Sequence, residues 1–183
     1  MATKATIPVF SRFDGLMPGL TAISAMLDGT RPYLFEVQAL VSSAVYGTAQ
    51  RSATGFDVRR LNMLLAVLER RAGLKLSDKD AYLSVAGSLR LQDRGADLAA
   101  VLCVASACCD KPLPPHTAAI GEVGLTGDVR PVGQMSARLK ECLRLGYTSV
   151  IVPEGVKADL PGLKLTSIRN VLEAASLVAY PAG

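Results

Sequence analysis

The chain has 183 residues, which is enough for one domain with a sizeable hydrophobic core. Half of the residues are hydrophobic and 20% are charged, which excludes a disordered protein. The net charge of +4 permits contact with nucleic acid without requiring it. No apolar run approaches the roughly 20 residues that a membrane span needs, and the amino terminus lacks the continuous apolar core of a signal peptide. The composition therefore predicts a cytoplasmic protein with no membrane contact.

The cysteines and the single histidine do not form a metal-binding pattern. Cys103, Cys108 and Cys109 lie in one apolar segment without paired C-x-x-C spacing, Cys142 lies apart, and His116 follows a proline-rich turn. Structural zinc takes four ligands from recognisable pairs, so buried thiols are favoured over a zinc site. Disulfides are not expected in the cytoplasm.

The order of the predicted elements indicates a single domain. Residues 1–19 follow no clear period and contain several Pro and Gly, so we interpret them as a leader or the remnant of a longer upstream chain. Residues 20–183 show strands first and then alternating helices and strands. This order predicts an α+β fold, a single mixed α/β domain with helices packed on a mixed sheet.

The first predicted strands lie at residues 20–27 and 33–41, joined by the turn D-G-T-R-P at 28–32. Apolar residues alternate with mixed ones in the second strand, which predicts a sheet covered on one side. A third strand is expected near residues 50–55.

A strongly amphipathic helix is predicted over residues 58–72. Asp57 is placed to cap its amino terminus, and Gly73 ends it. An apolar stripe at helical spacing is expected to face the sheet. It consists of Leu61, Leu64, Leu65, Leu68 and Ala72.

Four arginines lie on the polar side of this helix. At 100° per residue, Arg59 and Arg70 project opposite the apolar stripe, while Arg60 and Arg71 line one flank. Most such charges form a solvated face. The alternative is a ridge that follows phosphates or contacts a neighbouring subunit.

The middle of the chain predicts a strand at residues 81–91, with Gly87 at a bulge, and a helix at residues 95–109 that is apolar on nearly all sides. A hairpin follows at residues 121–133, where Val123 and Leu125 lie before a tight turn and Val129 resumes the apolar pattern. The later predicted elements are a helix at 134–145, strands at 148–152 and 163–168, and a closing helix at 169–178.

The string G-E-V-G-L-T-G-D-V-R-P-V-G at residues 121–133, followed by an amphipathic helix, resembles the proteolytic domain of the Lon protease superfamily. Within that superfamily, four further segments are similar to the carboxy-terminal Lon-like domain of the RadA (Sms) family of bacterial DNA repair proteins. They are D-G-T-R-P at 28–32, E-V-Q-A-L-V at 36–41, R-L-N-M-L-L-A-V-L-E-R-R-A-G-L at 60–74 and A-D-L-A at 96–99. The resemblance implies a fold of the ribosomal-protein domain-2-like type.

The resemblance also implies where catalytic residues would stand. Lon-type peptidases use a serine in a P-S-A-G motif, activated by a lysine on the helix after the hairpin. An ungapped count from residues 121–122 places that serine at Gly95, the motif's glycine at Asp97 and the lysine at Ser136. Both reactive groups are therefore missing. Asp97 also introduces a carboxylate that would disfavour an oxyanion.

A rearranged dyad is the peptidase alternative, with Ser136 as nucleophile and Lys140 as base one turn further along. We disfavour it because a dyad on an exposed helix face lacks a desolvated lysine and an oxyanion hole. No phosphate-loop motif occurs either. The resemblance implies that ATP and zinc bind only in upstream RecA-like ATPase and zinc-ribbon domains. We therefore predict no catalytic, cofactor or metal residue in this chain. The chain is expected to be either a carboxy-terminal piece of such a protein or a stand-alone relative.

The sequence thus predicts a non-proteolytic scaffold. By resemblance it should self-associate into a ring, expected to be hexameric, that organises RecA-like motor domains and holds DNA during repair and branch migration. The alternatives are an ATP-dependent Lon-type serine peptidase with displaced catalytic residues and a stand-alone module that binds only proteins. No aromatic residues interleave with the basic ones, so DNA contacts should be to phosphates and salt-sensitive. The candidate residues for contact with DNA or another subunit are Arg59, Arg60, Arg70, Arg71, Arg31, Arg130, Lys140 and Arg144.

Overall fold

The computed structural model of the protein describes residues 21–87 and 90–179, so the predicted leader at 1–19 lies outside the described residues. The strands in this part of the chain are β1 Thr21–Asp28, β2 Arg31–Ser43, β3 Arg51–Thr54, β4 Lys79–Val85, β5 Thr117–Ala119, β6 Glu122–Val123, β7 Val129–Arg130, β8 Ser149–Pro153 and β9 Lys164–Ile168. The helices are α1 Val58–Ala72, α2 Asp97–Cys109, α3 Met135–Arg144 and α4 Val171–Ala179, and a 3₁₀ turn, Arg94–Ala96, precedes α2.

Seven of the described strands form one mixed sheet in the order β3-β4-β2-β1-β5-β8-β9. β2 is antiparallel to both β1 and β4, whereas the other neighbouring pairs are parallel. β6 and β7 form a separate two-stranded hairpin. Helices packed on a mixed sheet confirm the predicted α+β class.

Helices cover both faces of the sheet. Phe35 and Val37 of β2 pack into the larger core with the buried residues of α1 and α2. Leu34 points to the other face, where it joins Leu139 and Cys142 of α3 in a second core. The prediction of a sheet covered on one side is therefore wrong at β1 and β2, because successive strand residues alternate between two cores.

Helix α1 forms where the sequence predicts it. The Asp57 carboxylate accepts the N–H of Arg60 at 2.9 Å, and Gly73 ends the helix in the left-handed conformation with φ 72°. Leu61, Leu64 and Leu68 of the predicted stripe are fully buried. The cap, the stop and the stripe agree with one another, which is why this element was predictable.

Three details differ from the predictions. β4 covers residues 79–85 rather than 81–91, because the chain turns at Gly87, whose φ is 82°. The hairpin turn starts earlier than expected: the N–H of Gly124 donates to the carbonyl of Asp128, which leaves Leu125 in the turn and 74% exposed. β5, an interior strand of the sheet between β1 and β8, was missed because its three residues, T-A-A, show no strand pattern.

Candidate functional site

Gly95, where the motif count places the Lon-type nucleophile, lies in the 3₁₀ turn that leads into α2. The Asp93 carboxylate caps this turn by accepting the N–H of Gly95 at 2.8 Å. The carbonyl of Gly95 accepts the N–H of Gly121 at 3.0 Å and the hydroxyl of Ser24 at 3.3 Å. The position is therefore buried between β1, the hairpin and the start of α2.

The space beside Gly95 is occupied by Arg138 of α3, which is 3% exposed. One terminal nitrogen of its guanidinium donates to the carbonyl of Ala25 at 2.7 Å and lies 2.8 Å from the Asp93 carboxylate. Its Nε donates to the carbonyl of Gly133 at 3.0 Å. This buried cation therefore has an anionic partner and two carbonyl acceptors.

Sequence reasoning missed Arg138, although a signal was present. Arg138 lies three residues after Met135 and four before Cys142, which places it within the apolar stripe of α3. A cation in an apolar stripe requires a buried partner. Asp93 is that partner.

These contacts leave no space for a side chain at residue 95. A Cβ atom built on Gly95 would lie 2.9 Å from a terminal nitrogen of Arg138, 3.0 Å from Asp93 Oδ1 and 3.2 Å from a methyl carbon of Val132. A larger residue at position 95 would therefore require these side chains to shift.

The residues of the alternative dyad lie elsewhere. Ser136 and Lys140 are both exposed on the outer surface of α3. A lysine that serves as the base in this chemistry is desolvated, whereas Lys140 is open to solvent. The structure therefore gives the disfavoured Ser136–Lys140 alternative no environment for nucleophilic catalysis.

Asp97, the third residue that departs from the Lon pattern, is buried and paired. Its carboxylate accepts two hydrogen bonds from the Arg60 guanidinium, one from Nε at 3.0 Å and one from a terminal nitrogen. It also accepts a hydrogen bond from the backbone N–H of Val123 at 3.1 Å. Arg60 also donates to the carbonyl of Val123 at 2.9 Å. Burial raises the pKa of Asp97, an effect that the Arg60 hydrogen bonds oppose, and Asp97 raises the pKa of Arg60. Arg60 is therefore committed to an internal contact, with 17% of its side chain exposed.

The remaining arginines of α1 are exposed. Arg59 and Arg70 project from the outer surface, and Arg71 is exposed while its stem packs against Gly127.

The structure adds Arg94, which the sequence did not suggest. The N–H of Arg60 is the main cause that lowers the pKa of Asp57, and the charges of Arg59 and Arg94 lower it further. Arg59 and Arg94 thus lie on the same side of the molecule, near the start of α1.

The other four predicted contact residues belong to other elements, and Arg130 lines a cavity together with Arg60 and Met63 of α1. Arg31 stacks over the Tyr33 ring at 5.2 Å, and Arg130 forms an ion pair with Asp128. Arg144 is bound through two nitrogens to Glu141, at 2.8 and 2.6 Å, and Lys140 is exposed next to that pair.

Within residues 21–87 and 90–179, no three His, Cys, Asp or Glu side chains converge as metal ligands would. No helix in the same residues is both long and apolar enough to cross a bilayer. The four cysteines are thiols, of which Cys103 and Cys142 are buried.

The Lon protease (S16) C-terminal proteolytic domain family matches residues 82–179, more than half of the chain. This segment contains α2, the hairpin and α3, and so both Gly95 and Ser136. The chain belongs to this family.

Within the family the chain is similar to proteins named DNA repair protein RadA. It is 45% identical over 163 residues to that of Synechocystis sp., 44% over 160 residues to that of Bacillus subtilis and 40% over 168 residues to that of Streptococcus pneumoniae. The matches cover 88%, 84% and 88% of this chain, but 32%, 34% and 40% of the relatives. The chain thus spans about a third of the length of the curated relatives it matches. The resemblance inferred from its motifs is confirmed.

Proposed function

We propose that this chain is a non-proteolytic Lon-fold domain of a RadA-type DNA repair protein, in which it supports ring assembly and holds DNA. The similarity to RadA proteins over most of the chain supports the repair context. ATP hydrolysis and zinc binding would then belong to RecA-like and zinc-ribbon domains upstream. The domain itself would act in the cytoplasm without a cofactor.

One observation carries the non-proteolytic part of the proposal. Gly95 provides no nucleophile, Ser136 provides no basic nitrogen, and Arg138 with Asp93 fills the space between the turn and α3. A Lon-type mechanism needs a serine hydroxyl within hydrogen-bond reach of an unprotonated lysine. Neither half of that pair stands at its position.

A proteolysis assay tests this part. Casein incubated with the protein, with and without ATP, should remain intact over the time in which an active Lon-type peptidase degrades it. Cleavage that copurifies with the folded protein and is abolished by Ser136→Ala would instead establish a displaced dyad.

The DNA-holding part rests on the exposed cations at α1. Arg59 and Arg70 lie eleven residues apart, so about 16 Å separates them along the helix axis. Asn62 and Ala66 between them add no negative charge to this surface. Two exposed cations at this spacing can contact DNA phosphates. Binding of this kind releases counterions and weakens steeply as the salt concentration rises. Arg60 is a poor probe of this contact, because reversing its charge would place two anions together at Asp97.

The sharper test of DNA binding is therefore R59E/R70E. This variant should lose retention of DNA at low salt, whereas K157E/K164E, the same charge change at two exposed lysines outside the candidate set, should keep most of it. Equal retention by both variants would contradict a role for α1. A measured molar mass of one subunit at all concentrations would contradict ring assembly by this chain.

A further inference from the structure

Three segments that are distant in sequence supply the acceptors around the Arg138 guanidinium. They are the carbonyl of Ala25 in β1, the carboxylate of Asp93 before α2, and the carbonyl of Gly133 before α3. Asp93 also accepts the N–H of Leu27 at 3.0 Å, so its carboxylate is itself held on β1. The acceptors are fixed mainly by backbone, and they would persist if the arginine were removed.

The spread of these acceptors over two separate nitrogens matches a guanidinium rather than an ammonium. A guanidinium presents several N–H donors in a planar fork, whereas a lysine offers one compact charge. Arg138 uses its Nε for one carbonyl and a terminal nitrogen for the other carbonyl and the carboxylate. Every buried side-chain nitrogen and oxygen among the described residues has a partner, so this site is fully satisfied.

We propose that the space of a Lon-type nucleophile has become a guanidinium-binding pocket, which Arg138 fills from within the same chain. The contact fastens α3 and the turn at residues 93–95 to β1. The same contact disfavours any larger residue at position 95, because a Cβ atom there would lie 2.9 Å from the guanidinium. This inference does not depend on a role in DNA repair.

Removal of the arginine exposes the pocket to a ligand of the same chemistry. In R138A the Asp93 carboxylate and the Ala25 carbonyl lose a buried donor, so Tm should fall by roughly 6 °C or more. Free guanidinium should then bind the vacated acceptors and stabilise only the folded state. A concentration about tenfold above Kd should raise the Tm of R138A by roughly 3 °C.

The probe is guanidinium chloride at roughly 10 mM, far below the molar concentrations that unfold proteins, with equal sodium chloride as the salt control. A saturable rise in Tm is expected for R138A and not for the unmodified protein. R144A is the matched control, because Arg144 lies on the same helix in an exposed ion pair. A similar rise in R144A, no rise in R138A, or an R138A Tm equal to that of the unmodified protein would each overturn the pocket.

A second comparison decides the matter if R138A does not fold. Gly95→Ala should lower Tm, because its Cβ meets Arg138, Asp93 and Val132. Asn62→Ala is the control, because Asn62 is exposed on α1 and outside the pocket, and it should leave Tm unchanged or slightly raised. Equal Tm values for the two alanine variants would overturn the proposal.

Discussion

The guanidinium of Arg60 on α1 forms an ion pair with the carboxylate of Asp97, the first residue of α2, with Nε 3.0 Å from Oδ1. Both side chains also bond to the backbone of Val123, one through its carbonyl and one through its N–H. A single ion pair therefore joins α1, α2 and the hairpin. A carboxylate that would oppose an oxyanion in a peptidase has a structural use here.

The first prediction concerns this ion pair. Arg60→Ala leaves Asp97 buried without its cation, so the free energy of unfolding should fall by about 3 kcal/mol. Arg59→Ala, at the adjacent exposed position, should change it by less than about 0.5 kcal/mol. Urea unfolding measures both values. Equal effects of the two substitutions would show that the pair does not hold these elements together.

The second prediction concerns the core. Leu102 lies at the centre of α2 and is 0% exposed, so Leu102→Ala should cost about 2–5 kcal/mol through lost burial and an unfilled cavity. Leu125, in the hairpin turn, is 74% exposed, and Leu125→Ala should cost less than about 0.5 kcal/mol. Thermal or urea unfolding distinguishes them. A large loss in the Leu125 variant would mean that this side chain is covered in solution.

The third prediction concerns the thiols. Burial raises the pKa of Cys142 to about 12 and raises that of Cys103 further, so neither forms the reactive thiolate near pH 8. Cys108 and Cys109 are only half-buried. A chromogenic disulfide reagent should therefore modify two thiols in the native protein and four after unfolding. Rapid modification of all four in the native state would contradict the packing of α2 and α3.

The fourth prediction concerns acid stability. The backbone N–H and the guanidinium of Arg169 lower the pKa of Glu173 below its ordinary value of 4.5. The charged form of Glu173 therefore stabilises the fold above that value, and this contribution is lost as the pH falls through the lower folded-state pKa. Glu173→Gln should have a lower Tm than the unmodified protein at pH 6. The difference should shrink as the pH falls below about 4, and a constant difference would contradict this interaction.

The elements that sequence alone predicted well are those with several agreeing local signals. Helix α1 has a cap, a stop and an apolar stripe, and it forms at the predicted residues. β5 has none of these signals, since its three small residues become a strand only because β1 and β8 lie on either side. Strand identity there is a property of the assembled sheet.

The sequence predicted that the candidate site lacks a serine and a lysine, but it did not predict that the site contains the Arg138–Asp93 ion pair. Counting along a family motif pointed to Gly95 and Ser136, and the family that carries this motif matches residues 82–179, which include both positions. Two of the three partners of Arg138 come from β1 and from the turn before α2, more than 40 residues away along the chain, and no local pattern connects them. The position of Arg138 in the apolar stripe of α3 indicates that its charge needs a buried anionic partner, but it does not indicate which residue that partner is.

A fluorophosphonate probe, read out by intact mass spectrometry, tests whether this Lon fold has a working nucleophile. The folded protein, alone and with ATP, should carry no adduct under conditions that fully label an active Lon-type peptidase. One stoichiometric adduct on a serine, lost when the protein is unfolded before labelling, would contradict the absence of a working nucleophile.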